Sequence, residues 1–115
     1  MILEIKNNRF MIIRRDGIQF VDFDEIIYLE RFRQHTLLQT TGESEIPVAI
    51  SLNKISPMLP DSFVRTHRSF IVNIKFIKEV RLMNKNVYEA PFLNGKSALI
   101  SKRCLSALKN NLLEV

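Results

Sequence analysis

The side chains with the most chemical potential lie in one short run, Phe63-Val64-Arg65-Thr66-His67-Arg68-Ser69-Phe70-Ile71-Val72-Asn73. It sets three potentially cationic groups, Arg65, His67 and Arg68, within four positions of an otherwise apolar stretch. Burying unpaired cations costs several kcal/mol each, so at least one of them must face solvent or a ligand. Two chemistries are open to such groups. A guanidinium can hold two acceptors on a guanine edge, and an imidazole or amide can donate to base acceptors. Alternatively His35 and His67 could act as general base and acid beside Arg68, as in a small basic ribonuclease. Against these stands a plain structural role for His67, turned inward to a hydrogen-bond partner on an alternating strand. A second basic pair, Lys102-Arg103, opens a predicted helix. Free backbone N–H groups and the helix dipole favour phosphate there.

Other chemistries find no support. The two histidines have no cysteine or carboxylate partner at metal-ligand spacing, and CxxC, HExxH and EF-hand patterns are missing. So are the P-loop, GxGxxG and GxSxG, and neither metal nor cofactor is expected. The acids of VDFDEI, Asp22, Asp24 and Glu25, read as a solvated turn or a helix-like cap. Net charge is +5, divided as −2 over residues 1–61 and +7 over residues 62–115, which points to a polyanion partner. A β-barrel module stacking RNA or single strands on aromatic rings is a weaker reading, since the chain has two Tyr and no Trp. No apolar run approaches the ~20 residues of a membrane span. The N-terminus lacks a secretory apolar core, so a cytoplasmic location is expected. The one cysteine, Cys104, cannot bridge internally and reads as a small buried helix residue.

These groups need a scaffold, and the pattern around them is mostly β. Short runs rich in Ile, Val, Phe and Tyr read as antiparallel strands: 10–14, 18–23, 26–32, 36–41, 46–50, 63–72, 76–83, 87–93 and 98–101. Turn signals separate them, notably Asp16-Gly17, Thr41-Gly42, 83–86 and Asn94-Gly95. Pro47 and Pro91 mark their strands as edges or bulged. Two segments read as short helices. Ser51–Leu59 places Leu52, Ile55 and Leu59 on one face, and Ser101–Leu113 places Leu105, Leu108 and Leu112, each behind a serine cap. Phe63, Phe70, Ile71 and Val72 read as core, and Asn73 as the cap of a turn. The expectation is one domain over 1–115 with about nine or ten strands and one or two helices.

The run from Leu59-Pro60 to Asn73 resembles the LytTR-type DNA-binding domain of bacterial transcription regulators, whose pattern is LP-x-x-F-x-R-x-H-R-S-[FY]-I-V-N. DGIQFVDFDEIIYLE, HTLLQTTGE, SLNKISPMLP and LNGKSALISKRCLSALK are similar to flanking parts of the family, so the resemblance covers about Arg9 to Lys109. It implies an elongated assembly of small antiparallel sheets that reads double-stranded DNA with loops. It implies a non-enzymatic output domain of a two-component-type response regulator. Carried over motif by motif, the base-contacting positions are His35, Arg68 and Arg103, with Arg33 or Gln34 as alternatives to His35. Arg33, Arg65, Lys75, Lys78, Lys96 and Lys102 are the expected contacts to the DNA backbone, Arg65 being equally suited to an ion pair. No heptad seam is present, so a monomer or weak dimer pairing on repeated promoter sites is expected.

Overall fold

The computed structural model describes residues 1–42 and 45–113, apart from the side chains of 111–113. Eleven strands and two helices appear among them: β1 (Ile2–Ile5), β2 (Arg9–Arg14), β3 (Gly17–Asp22), β4 (Ile26–Phe32), β5 (His35–Thr40), β6 (Glu45–Val48), α1 (Leu52–Ile55), β7 (Phe63–His67), β8 (Phe70–Asn73), β9 (Arg81–Asn84), β10 (Val87–Pro91), β11 (Ser97–Ser101) and α2 (Lys102–Leu113). They form three antiparallel sheets, ordered β1-β2-β3, β6-β5-β4-β8-β7 and β11-β10-β9. The molecule measures 45 × 30 × 25 Å, the expected elongated assembly.

The sheets are layers, with the five-stranded sheet in the middle. One of its faces packs on β1–β3 and α1 through Phe10, Ile12, Val21, Leu29, Leu38, Leu52, Ile55 and Ile71. The other packs on β9–β11 through Ile27, Tyr28, Phe70, Val72 and Ala98. Helix α2 packs on the same face of that third sheet, alongside β7, where Leu108 meets Ala90 and Ile100. Covering both faces explains why β4 and β8 read as near-continuous apolar runs and not as alternating ones. Phe63, Phe70, Ile71 and Val72 are buried as expected.

Three sequence expectations need correction. The run 63–72 is a hairpin and not one strand: β7 and β8 meet at a two-residue turn, Arg68-Ser69, with His67 paired to Phe70. An N-terminal strand, β1, was not anticipated. It turns into β2 at Asn7-Asn8, both left-handed (φ 57° and 62°), which suits a primed hairpin turn without glycine. These two changes bring the strand count to eleven. The segment 76–83 is mostly not strand either, for a 3-10 turn occupies Ile74–Phe76 and β9 begins only at Arg81. Pro47 does lie on an edge strand, β6. Pro91 ends the central strand β10, whose ladder with β9 carries a register shift at Val87/Tyr88; it lies beyond the residues that pair with β9, so its missing N–H leaves no gap.

The serine caps form as expected, with Ser51 Oγ accepting from Lys54 N and Ser101 Oγ from Cys104 N. Pro57 shortens the first helix, whose last turn is a 3-10 turn over Ser56–Met58. Leu112 lies outside the described side chains. Cys104 is half-buried and not buried. Asn73 caps its turn through Oδ1, which accepts from Lys75 N, but it also does more. Its buried Nδ2 donates to the carbonyls of Phe23 (3.4 Å) and Ile26 (3.1 Å), joining the start of β4 to the end of β8.

Asn73→Ala would leave two buried carbonyls short of a donor. It should lower stability by about 1–3 kcal/mol in urea denaturation. Asn73→Asp, which keeps the Oδ acceptor but loses the donor, should be no better.

Candidate nucleic-acid interface

Strand direction decides which residues share an end of the middle sheet. Because β4, β5, β7 and β8 are antiparallel neighbours, the β4–β5 turn (Arg33-Gln34) and the β7–β8 turn (Arg68-Ser69) project from the same end. Arg31 N donates to Ser69 O at 2.8 Å and stitches the two turns side by side. Helix α1 begins beside them, and Thr36 Oγ1, donating to Ile50 O at 2.8 Å, holds its approach.

The third sheet brings the last loop to this end through a bulge. The β7–β8 register slips between Arg65 and His67, leaving Thr66 as the extra residue. Thr66 is fully buried, and its hydroxyl donates to Leu99 O of β11 at 2.8 Å. This lashes β11 under the hairpin, so the start of α2, Lys102-Arg103, emerges beside Arg68. Lys102 N donates to Asn86 O in the β9–β10 turn and fixes the helix entrance.

Two adjoining clefts result. The first, about 420 Å³, is lined by Arg31, Arg33, Gln34, His35, Asn53, Arg65 and Arg68 among others. The second, about 660 Å³, shares Asn53, Arg65 and Arg68 and adds His67, Asn86, Lys102, Arg103 and Cys104. Six Lys/Arg side chains line the pair, and no carboxylate does among the described residues. Arg33, Gln34, His35, Arg68, Lys102 and Arg103 are all exposed. The structure therefore brings together His35, Arg68 and Arg103, with Arg33 and Lys102 beside them.

Arg65 occupies the middle of this surface in a different role. Its Nε donates to His67 O (2.9 Å), Nη2 to Arg68 O (2.6 Å) and Nη1 to Asn53 Oδ1 (3.0 Å). One planar fork thus closes the β7–β8 turn and ties it to α1. Burial pulls its pKa below the ordinary arginine value, with Arg31 adding to the effect and Cys104 opposing it. His67 completes the turn: its Nδ1 accepts from Ser69 N at 3.1 Å, and its ring lies edge-on to Phe70. Acceptance at Nδ1 requires the neutral imidazole. Burial lowers the His67 pKa, and the cations Arg68 and Arg65 push it the same way. Arg31 repeats the clamp at the neighbouring turn, its Nε donating to Arg33 O at 3.3 Å. Arg33 is left-handed (φ 60°), a conformation that costs a non-glycine residue of order 1 kcal/mol or more and must be held in place.

Lys75, Lys78 and Lys96 are not part of this surface. They lie at the other end of the strands, roughly 20 Å away at the strand rise per residue. Lys75 pairs with Asp24 (2.9 Å) and Lys96 with Glu45, whereas Lys78 borders an apolar cleft with Phe76, Phe92 and Leu93. Arg31 and Asn53 are the participants that sequence reasoning missed. Arg31 was signalled by its place two residues before the turn, on the same strand face as Leu29. Nothing in the sequence marked Asn53.

Comparisons with known proteins agree with this architecture. The family profile described as the LytTr DNA-binding domain matches residues 16–113. The transcriptional regulatory protein NatR of Bacillus subtilis is 34% identical over 106 residues, which are 90% of this chain and 45% of that protein. The sensory transduction protein LytT of Bacillus subtilis is 34% identical over 95 residues, 82% of this chain and 39% of that protein. The chain thus spans less than half the length of either relative. A solved structure, the LytTr DNA-binding domain of a putative methyl-accepting/DNA response regulator from Bacillus cereus, superposes with a TM-score of 0.77. It is 29% identical and covers 93% of this chain and 98% of that one.

Two outcomes follow from the clamp. Arg65→Lys keeps the charge but loses the fork, so it should lose about 1–3 kcal/mol in urea denaturation, close to Arg65→Ala. For His67 the folded state favours the neutral ring. Its contribution is fully present above the unfolded pKa near 6.5 and is lost as pH falls through the lower folded value. Stability measured from pH 7.5 down to 5 should decline less steeply in His67→Gln than in the parent chain.

Proposed function

The chain belongs to the LytTR family of DNA-binding domains, and from this we propose that it binds double-stranded DNA sequence-specifically as the output domain of a bacterial, cytoplasmic response regulator. It is a DNA-binding domain and not an enzyme, so the ribonuclease reading of His35 and His67 falls away. The barrel reading falls too, since the sheets are open layers. No helix among the described residues is long and apolar enough to cross a membrane.

The single observation that carries the reading is the segregation of charge by strand end. Cations from both halves of the chain gather on one rim, while Asp24, Glu25 and Glu45 lie toward the other. A surface of that kind attracts a polyanion and releases its counterions on contact. The rim is made of turns and a helix start projecting from rigid layers, which suits insertion into grooves. In this reading His35, Arg68 and Arg103 contact base edges, with Gln34 available beside His35. Arg33 and Lys102 hold phosphates, Lys102 aided by the α2 N-terminus. Arg65 orients Arg68 instead of touching DNA. Lys75, Lys78 and Lys96 add only screened, long-range attraction.

Selection of bound duplexes from a random pool tests the proposal and supplies the site for mutants. On that site Arg68→Ala and Arg103→Ala should each cost about 1–3 kcal/mol, with a much smaller loss on random duplex. Lys102→Ala should weaken both duplexes alike and flatten the salt slope by about one unit, from roughly −4 to −5 for about five neutralised phosphates. Lys75→Ala and Lys96→Ala should leave affinity at physiological salt nearly unchanged, because roughly 20 Å exceeds the screening length of about 8 Å. Equal losses on selected and random duplex for Arg68→Ala would reduce it to a phosphate contact. No enrichment of any duplex would end the proposal.

A further inference from the structure

The first sheet has two faces, and among the described residues only one of them has a partner. On its inner face Phe10, Ile12 and Val21 are essentially without solvent exposure. Alternation puts the other set outside, and the strand registers arrange it in three rows. Ile2, Ile13 and Ile18 form the first row, and Glu4, Met11 and Phe20 the second. The third runs Lys6, Arg9 and Asp22, Lys6 N donating to Arg9 O across the turn. Ile2, Ile18 and Phe20 are 55%, 58% and 50% exposed. Five large apolar side chains thus adjoin one another on an uncovered sheet face, a feature that marks an interaction site.

We propose that this outer face pairs with the same face of a second copy of the chain, about a two-fold axis running along β2. This inference is independent of the DNA reading. Rotation about that axis keeps each row on its own row and exchanges β1 with β3. Ile13 then meets Ile13, Met11 meets Met11, and Ile2 meets Ile18. The charges also match. Lys6 of one copy faces Asp22 of the other, and Glu4 faces the Phe20 ring. That ring is already capped by its own Arg9 guanidinium at 4.6 Å, so Glu4 lands on a cation. The same stacking Arg9 is drawn aside from its symmetry mate. The alternative axis, across the strands, would set the isoleucine row against the charged row and is disfavoured.

The size of the patch sets its strength. Three strands at a spacing of about 4.8 Å make a face roughly 15 Å on a side, well short of the about 800 Å² per partner of a standard stable interface. The contact is therefore weak in free solution. It becomes significant where two copies are held side by side and the effective concentration is high.

Sedimentation of the chain without DNA, from micromolar to millimolar, tests the inference. The parent chain should show reversible monomer–dimer exchange that Ile18→Glu abolishes, with an unchanged melting transition. Lys6→Asp and Asp22→Lys should each weaken the dimer, and the double exchange should restore it. A chain that stays monomeric at millimolar concentration overturns the proposal. So does a dimer indifferent to Ile18→Glu, or charge exchanges that add instead of compensating.

Discussion

The guanidinium of Arg65 is the contact on which the interface depends. Its neighbours Arg31, Arg68 and Arg103 would repel one another if left to loose turns. By donating to the His67 and Arg68 carbonyls and to Asn53, Arg65 turns part of that positive charge into scaffolding. Hydrogen bonds with one charged partner are the stronger kind, and two of these acceptors are main-chain groups that no substitution can remove. Arg31 does the same for the adjacent turn through Arg33 O. Each of the two turns is thus closed by an arginine two or three residues upstream. The exposed cations above are presented on short, pre-formed backbone, which limits the ordering lost when a ligand binds.

Those clamps rest on layers packed from both sides. The middle sheet is covered on both faces over Ile26–Leu29 and β8, so these strands cannot slide without moving two cores. The bulge at Thr66 is the joint between layers. Thr66 stands unpaired in the ladder, and its hydroxyl donates to Leu99 O of β11. Asn73 performs the matching task at the other end of β8, where two carbonyls of the β4 entrance converge on one amide. Lys75–Asp24 and Lys96–Glu45 close that end with opposite charges. Glu30 and Tyr28 feel Glu45 from the sheet side: burial first and Glu45 second raise the Glu30 carboxyl, and burial with both acids lifts Tyr28 to about 12.

Much of this was legible in the residues. Alternation and turn dipeptides located most strands, the two serine caps located both helix starts, and the Phe63–Asn73 motif led to His35, Arg68 and Arg103. What escaped has physical reasons. A two-residue turn made of Arg68 and Ser69 carries no glycine or asparagine, so the hairpin looked like one long strand. The Asn7-Asn8 turn was available to reading, but four residues of β1 have too little context to stand out. Charge was summed along the sequence, which favoured Lys75, Lys78 and Lys96. The fold sorts charge by strand end instead, and antiparallel pairing sends neighbours in sequence to opposite rims. A side chain such as Arg65, spent on carbonyls, cannot be told from a free one until those carbonyls have positions.

The order of the strands carries one more consequence, for how the molecule is made. Nearly every pairing joins strands adjacent in the chain: β1 with β2, β2 with β3, β4 with β5, β5 with β6, β7 with β8, β9 with β10 and β10 with β11. Such hairpins close short loops at low entropic cost and form on microsecond timescales. β4 with β8 is the exception among the described strands, joining Tyr28 to Val72 across roughly forty residues. That pairing is also what sets Arg31 beside Ser69 and brings the two rim turns together. The pairing with the longest loop to close is therefore the one that sets the two arginine-clamped turns side by side. Until that pairing closes, Arg33 and Arg68 sit on separate hairpins.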